Sequence, residues 1–171
     1  SLNLLFPSRI IKEKGIIELI TAVDILNKEN IPIKLYIAGR LDKGNRSCIT
    51  SKEERIIKQQ KNIIMLGHLE DIRTIYKDID IVILPSWREG LSKSLLEAAA
   101  MGKAIITTNV PGCKEIVEHM QTGLLVRVES PEELKESILK LYKNPKLIVE
   151  LGKAARKKVI QEFELKKINN M

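Results

Sequence analysis

Leu84-Pro85-Ser86-Trp87-Arg88-Glu89-Gly90-Leu91-Ser92-Lys93-Ser94-Leu95-Leu96-Glu97-Ala98-Ala99-Ala100-Met101-Gly102 carries three signals in a row. The apolar residues Ile81 to Leu84 lead in and read as a buried strand. Pro85 ends that strand, because it has no N–H to give to a ladder. A polar elbow follows, in which Gly90 supplies backbone freedom. From about Ser92 the residues are good helix formers, and Gly102 closes the run. Glu89 therefore sits on the elbow and Glu97 about a turn inside the helix. Between them lies a helix N-terminus, with unpaired N–H groups and a partial positive charge. Such an end accepts phosphate, and carboxylates on either side accept hydrogen bonds from hydroxyls.

Outward from this run, strand and helix patterns alternate. Asn3 to Ser8 reads as a first strand, and Arg9 to Gly15 as a basic loop. Ile16 to Lys28 has helical periodicity, with Ile16, Leu19, Ile20, Val23 and Leu26 on one face. Ile33 to Ala38 is a second strand ending at Gly39, followed by a polar loop from Arg40 to Ser51. Ser51 is expected to cap a charged helix, with Glu54 as its capping-box partner. Asn62 to Leu66, Ile79 to Leu84, Ala104 to Thr107 and Gly123 to Val126 complete six strands. Short helices are expected over Glu70 to Lys77 and from Pro111 to about Glu118. Ser130-Pro131-Glu132-Glu133 opens a further helix with a capping box, and Lys146 to Phe163 forms the last. The alternation predicts an α/β fold: one Rossmann-like, doubly wound parallel sheet of about six strands, with helices on both faces.

The 171 residues suffice for one domain with a real core. No apolar run is long enough to span a membrane. The chain opens at Ser1 on an apparent strand, without a signal-peptide pattern, and is expected to be part of a longer protein. Cys48 and Cys113 are far apart and read as free thiols of a reducing cytoplasm. His68 and His119 are isolated, so no metal site is expected. The formal charge of +7 fits either a solvated lysine-rich surface or a peripheral contact with anionic lipid. Nucleic acid is disfavoured: aromatics make up only 4%, too few for base-stacking platforms, and no nucleic-acid-binding motif is present.

In a parallel α/β sheet, ligands bind beyond the carboxyl ends of the strands. The unusual residues fall there: Arg9 and Lys14 after the first strand, Gly39 after the second, Gly67 after the third, Glu89 after the fourth. Arg9 and Lys14 suit a diphosphate, the first through paired bonds and the second as a point charge. Glu97 stands on an otherwise uncharged helix segment, where an unpartnered carboxylate is costly and a ribose diol would supply partners. A nucleotide sugar offers this combination, with phosphates in the middle and hydroxyls at both ends. Asp78-Ile79-Asp80 precedes its strand and reads as strand entry rather than as a metal motif. Pro111-Gly112-Cys113-Lys114-Glu115 either lines the pocket or forms a plain turn.

Taken together, these residues resemble the C-terminal, donor-binding half of a GT-B glycosyltransferase of family 4, the "glycosyl transferases group 1" domain. The likeness runs from about Asn3 to Phe163 through Ser8-Arg9, Lys14-Gly15, Ile37-Ala38-Gly39, Leu66-Gly67, Tyr76 to Asp80, Pro85-Ser86, Glu89-Gly90, Leu96-Glu97-Ala98, Pro111 to Val117 and Thr122 to Val126. The resemblance implies that Arg9 and Lys14 hold the donor diphosphate and that Glu89 binds the transferred sugar. It implies that backbone amides of Gly90, Leu91, Ser92, Ser94 and Leu95 meet sugar and phosphate. Glu97 would bind the ribose, and the backbone near Leu69, with Gly39 and Gly67, would complete the donor site. The implied reaction is sugar transfer with retained anomeric configuration, without a metal or other cofactor, by front-face attack. An N-terminal acceptor domain would supply the other wall, so this piece alone is expected to bind weakly and transfer little.

The Arg88-Glu89-Gly90-Leu91-Ser92 version is similar to bacterial enzymes that build surface polysaccharides on polyprenyl-linked acceptors, some of them using UDP-N-acetylhexosamines. Two other classes are weighed: a nucleotide-sugar sensor without chemistry, which Glu89 and Arg9 would serve equally well, and a GT-B nucleotide-sugar epimerase, whose different acid–base residues are not evident in the chain. One departure from the family pattern is Leu41, where a second glycine is common after Gly39.

Overall fold

A computed structural model describes residues 1–169, except the side chain of Ile168. The six strands are β1 (Leu2–Phe6), β2 (Ile33–Ile37), β3 (Ile63–Met65), β4 (Ile81–Leu84), β5 (Ala104–Thr108) and β6 (Leu124–Val126). The helices are α1 (Ile16–Lys28), α2 (Ser51–Gln59), α3 (Arg73–Tyr76), α4 (Lys93–Ala100), α5 (Pro111–Lys114), α6 (Pro131–Tyr142) and α7 (Pro145–Asn169). All strand pairs are parallel, in the order β3-β2-β1-β4-β5-β6. This is the doubly wound arrangement expected from the alternation.

Burial explains the order. Every residue of β4 and β5 is buried, and β1 nearly so, as strands covered on both faces require. Strand β2 instead alternates, with Lys34 exposed. The connections β1-α1-β2 and β4-α4-β5 run in opposite directions along the sheet. Right-handed crossovers therefore put α1 and α4 on opposite faces. Helix α1 packs with α6, and α4 packs with α7, which also lies on β5.

Several local expectations shift. Helix α2 is capped one residue earlier than expected, by Thr50 rather than Ser51. The Thr50 hydroxyl accepts from the Glu53 amide at 3.1 Å, and the Glu53 carboxylate accepts from the Thr50 amide at 2.8 Å. Glu54 instead pairs with Lys58 one turn on. Ser130 does cap α6, but the Glu133 carboxylate turns to Arg127, so the box there is only half made. The basic loop after β1 contains a 3-10 turn, Lys12–Lys14. The helix expected over Glu70 to Lys77 shrinks to the four residues of α3, and the Arg73 amide at its start donates to the Asp71 side chain at 3.1 Å.

Strand order reverses between β1 and β4, and the segments leaving these two strands diverge there. Two glycines let the loops at this edge close up. A Cβ on Gly39 would lie 1.7 Å from the Ser8 carbonyl oxygen. One on Gly112 would lie 1.8 Å from the Gly90 oxygen and 2.3 Å from that of Glu89. Residues 111–115 thus back the elbow from behind instead of lining a pocket. Gly112→Ala is expected to push the elbow off α5 and to cost on the order of 3 kcal/mol, measurable as a lowered urea midpoint.

Candidate functional site

The segment after β1 and the elbow after β4 are tied together at four points. The Trp87 amide donates to the Glu13 carbonyl at 2.8 Å, and the Trp87 indole N–H to Glu18 Oε2 at 2.8 Å. Arg88 pairs with the Glu13 carboxylate at 3.0 Å. The Lys14 ammonium spans both oxygens of Glu89, at 3.1 and 2.9 Å. The Lys14 and Glu89 side chains are 17% and 14% exposed, so water screens this pair less than the others.

Helix α4 starts beside the elbow. Ser92 is its N-cap, and the Ser92 hydroxyl accepts from the Leu95 amide at 3.2 Å. The Ser94 hydroxyl donates to the Pro7 carbonyl at 3.0 Å, which fixes the helix end against the end of β1. The amides of Lys93 and Ser94 meet no acceptor among the described residues. They are the free donors of this helix end.

Two adjoining hollows open here. The larger, of about 1010 Å³, is lined from the ends of β1, β2 and β3 and from α4. Pro7, Ser8, Gly39, Leu69, Ser94 and Glu97 contribute to it. The smaller, of about 430 Å³, is lined by Arg9, Glu13, Lys14, Arg88, Glu89 and Gly90. Arg9 borders both. The four ionic residues singled out in the sequence therefore gather at one edge, in two compartments joined at Arg9.

Not every expected residue takes part. Gly67 lies just outside the lining, one residue before His68. Leu91 is 59% exposed and borders neither hollow. Ser92 is buried and spends its hydroxyl on the cap. The expectation that the Leu95 amide is open to a ligand is corrected, because Ser92 already holds it and the Leu95 side chain is in the core. Glu97 is also corrected in one respect: it is exposed, so no burial cost demands a partner for it. The Asp78 and Asp80 oxygens accept hydrogen bonds from Asn3, at the far end of the sheet.

Other residues were not singled out from the sequence. Asp42 pairs with Arg9 at 2.9 Å. Arg73 is held by both oxygens of Asp71, at 2.9 and 3.1 Å, and lines the large hollow with Arg40 and His68. Their signal in the chain was position alone, since all follow β2 or β3. Leu41 lines the same hollow and forms a parallel bridge with Ile10, so the loop lacking the second glycine continues the sheet briefly. Cys48 and Cys113 are unpaired thiols; burial pushes the Cys113 thiol up, away from reactive thiolate. Among the described residues, no group of three or more His, Cys, Asp or Glu side chains is placed to hold a metal.

Burial raises the Glu18 pKa above its usual 4.5, against the opposing hydrogen bond from Trp87. A raised carboxyl pKa favours the fold below 4.5 and costs stability as pH rises through the folded value. Glu18→Gln keeps an acceptor for the indole and removes the half-buried charge. The variant is expected to melt above the wild type at pH near 7 and level with it below 4.5. Thermal unfolding at the two pH values checks this, and a lower melting point at neutral pH would contradict it.

Comparison with known proteins bears on the family and the fold. Residues 2–158 match the model of the family described as Glycosyl transferases group 1. The capsular polysaccharide biosynthesis glycosyltransferase CapM of Staphylococcus aureus is 30% identical over 158 residues, covering 92% of this chain and 41% of CapM. The chain thus spans less than half the length of that relative. The crystal structure of the C-terminal domain of the group 1 protein LpcC from Francisella tularensis superposes with a TM-score of 0.79 at 26% identity, covering 95% of this chain and 86% of that one. Anabaena HepE, crystallised with UDP-glucose, has a TM-score of 0.87 at 21% identity, over 99% of this chain and 47% of HepE.

Proposed function

The chain belongs to the glycosyl transferases group 1 family, and from that membership we propose that it is the donor-binding half of a retaining, metal-independent glycosyltransferase. Its donor is a UDP-linked sugar, with an N-acetylhexosamine as the first candidate. The acceptor is a glycan or polyprenyl-linked sugar, in bacterial surface-polysaccharide synthesis. An N-terminal domain that lies outside this chain binds the acceptor and closes the cleft. CapM's role in capsule synthesis and HepE's complex with UDP-glucose support the reading.

One observation carries it. Arg9 joins a carboxylate-bearing cleft to a second hollow that holds a Lys–Glu pair at a helix N-terminus. The nucleoside fits the large cleft, with the base near Leu69 and the ribose at Glu97. The diphosphate sits at Arg9, Lys14 and the free amides of α4, and the sugar lies by Glu89 and Gly90. As the glycosidic bond breaks, negative charge grows on the diphosphate. Fixed cations and amides in this position stabilise that charge without reorganising.

Arg9 and Lys14 are each matched with a carboxylate in the unliganded chain. Ligand phosphate therefore exchanges one anionic partner for another at Arg9. At Glu89, the lysine holds both carboxylate oxygens in place beside the position given to the sugar hydroxyls. The basic surface, with exposed Phe163 and Leu165 beside Lys166 and Lys167 on α7, supports a peripheral contact with anionic lipid headgroups.

Thermal shifts with UDP, UDP-GlcNAc and GDP-mannose test the donor class. Stabilisation grows with the ratio of ligand to dissociation constant, reaching ~2.7 kcal/mol at a hundredfold ratio. Glu97→Ala is expected to weaken UDP about tenfold, the worth of hydrogen bonds to a charged acceptor. Glu89→Ala should weaken UDP-sugar by a similar factor and spare UDP. Calorimetry with both ligands separates the roles, and equal losses in both variants would contradict them.

A further inference from the structure

Pro85 gives the ladder no N–H, and the paired register of β4 with β5 stops at Leu84 and Thr107. Two side chains of β5 continue the contact beyond that point. The Thr107 hydroxyl donates to the Leu84 carbonyl at 2.7 Å, and the Thr108 hydroxyl donates to the Ser86 carbonyl at 2.5 Å. Ser86, Thr107 and Thr108 have no solvent exposure, so bulk water does not compete for the Ser86 carbonyl.

The second of these bonds has a counterpart on the same peptide group. The Ser86 carbonyl and the Trp87 amide form one planar unit. That amide donates to the Glu13 carbonyl at 2.8 Å. One peptide plane is therefore gripped at both ends, by β5 on one side and by the turn after β1 on the other. Two residues beyond Trp87 comes Glu89, which lines the smaller hollow with Arg88 and Gly90. Gly112 lies directly against the Glu89 and Gly90 carbonyls from behind. The start of α4 is fixed separately, by the bond from Ser94 to Pro7. The elbow and the helix end thus have different anchors, although they adjoin in sequence.

We propose that Thr108 is a positioning residue for the sugar-binding part of the site: its hydroxyl sets the tilt of the Ser86–Trp87 peptide, and through it the place of the Glu89 carboxylate beside Lys14. The inference rests on the reading that gives the sugar to Glu89 and the diphosphate to the start of α4. A threonine that serves stability alone would weaken both ligands alike or neither. One that aims the elbow weakens the sugar contacts and spares the nucleotide.

Thr108→Val keeps the shape and removes the hydroxyl. Calorimetry with UDP and UDP-GlcNAc, together with unliganded melting points, compares wild type, Thr108→Val, Thr108→Ser, Glu89→Ala and Thr108→Val combined with Glu89→Ala. Thr108→Val is expected to melt lower and to bind UDP-GlcNAc about three- to tenfold more weakly, the range for one hydrogen bond. It should bind UDP as wild type does. Thr108→Ser retains the donor and should restore the affinity for UDP-GlcNAc. In the Glu89→Ala background, Thr108→Val should leave both affinities unchanged. Thr122→Val serves as the comparison: it removes another buried hydroxyl, which accepts from the Glu118 amide at 2.8 Å ahead of β6. That variant should melt lower with both affinities unchanged. Should Thr108→Val not fold, Thr108→Ala, which leaves room for a water at the carbonyl, is read in the same way. Wild-type affinity for UDP-GlcNAc without the hydroxyl, where Glu89→Ala binds it weakly, overturns the positioning role and leaves the sugar site standing. Equal losses for UDP and UDP-GlcNAc, or the same loss with and without Glu89, overturn it as well. If Glu89→Ala leaves the affinity for UDP-GlcNAc unchanged, the sugar assignment falls and the role of Thr108 falls with it.

Discussion

The fastening of the elbow at residues 85–90 onto the turn at residues 13–15 is the contact on which the edge of the sheet depends. A parallel sheet whose order reverses between neighbours leaves its two outgoing segments pointing apart. Left alone, they would hold no fixed geometry. Here Trp87 stitches them through its amide and its indole, and Lys14 bridges both oxygens of Glu89. Ser94 pins the start of α4 to Pro7 on the same seam. The result is a set of side chains from distant positions held at one place before any ligand arrives. Such preorganisation reduces what a ligand must spend on ordering its site.

The charges follow a related logic. Cations that bind phosphate repel one another and strain an empty site. Among the cations at this edge, four lie against an acid: Arg9 on Asp42, Lys14 on Glu89, Arg88 on Glu13, Arg73 on Asp71. Exposed pairs of this kind contribute little to stability, so exchanging their acid for a ligand anion is cheap. The Lys14–Glu89 pair is the exception, being mostly shielded from water. It therefore stays together as one unit at the smaller hollow, while the Arg9 pair is the one suited to exchange.

Much of this was readable in the chain because periodicity and punctuation are local. The apolar run Ile81 to Leu84, the Pro85 stop and the helix from Ser92 each depend on neighbours in sequence, and each falls where expected. Alternation also gave the doubly wound class. Partnerships across the edge were not readable. Nothing near Arg9 in sequence points to Asp42, which belongs to another loop. Competition between adjacent residues was equally hidden: Thr50 and Ser51 are both good caps, and the extended backbone at Thr50 decides between them. Glu97 misled for a different reason. Its apolar neighbours suggested burial, but they occupy the other side of a helix whose one exposed flank faces the cleft.

The sheet finishes on each side in a strand of only three residues, β3 and β6. A border strand is where a foreign chain could add itself, by taking up the ladder's open amides and carbonyls. Three residues offer too few such groups for a lasting annexation. Lys61, just before β3, adds a charge at one border that discourages stacking. Both borders thereby stay closed to an added strand, and the carboxyl rim is left as the open end of the sheet.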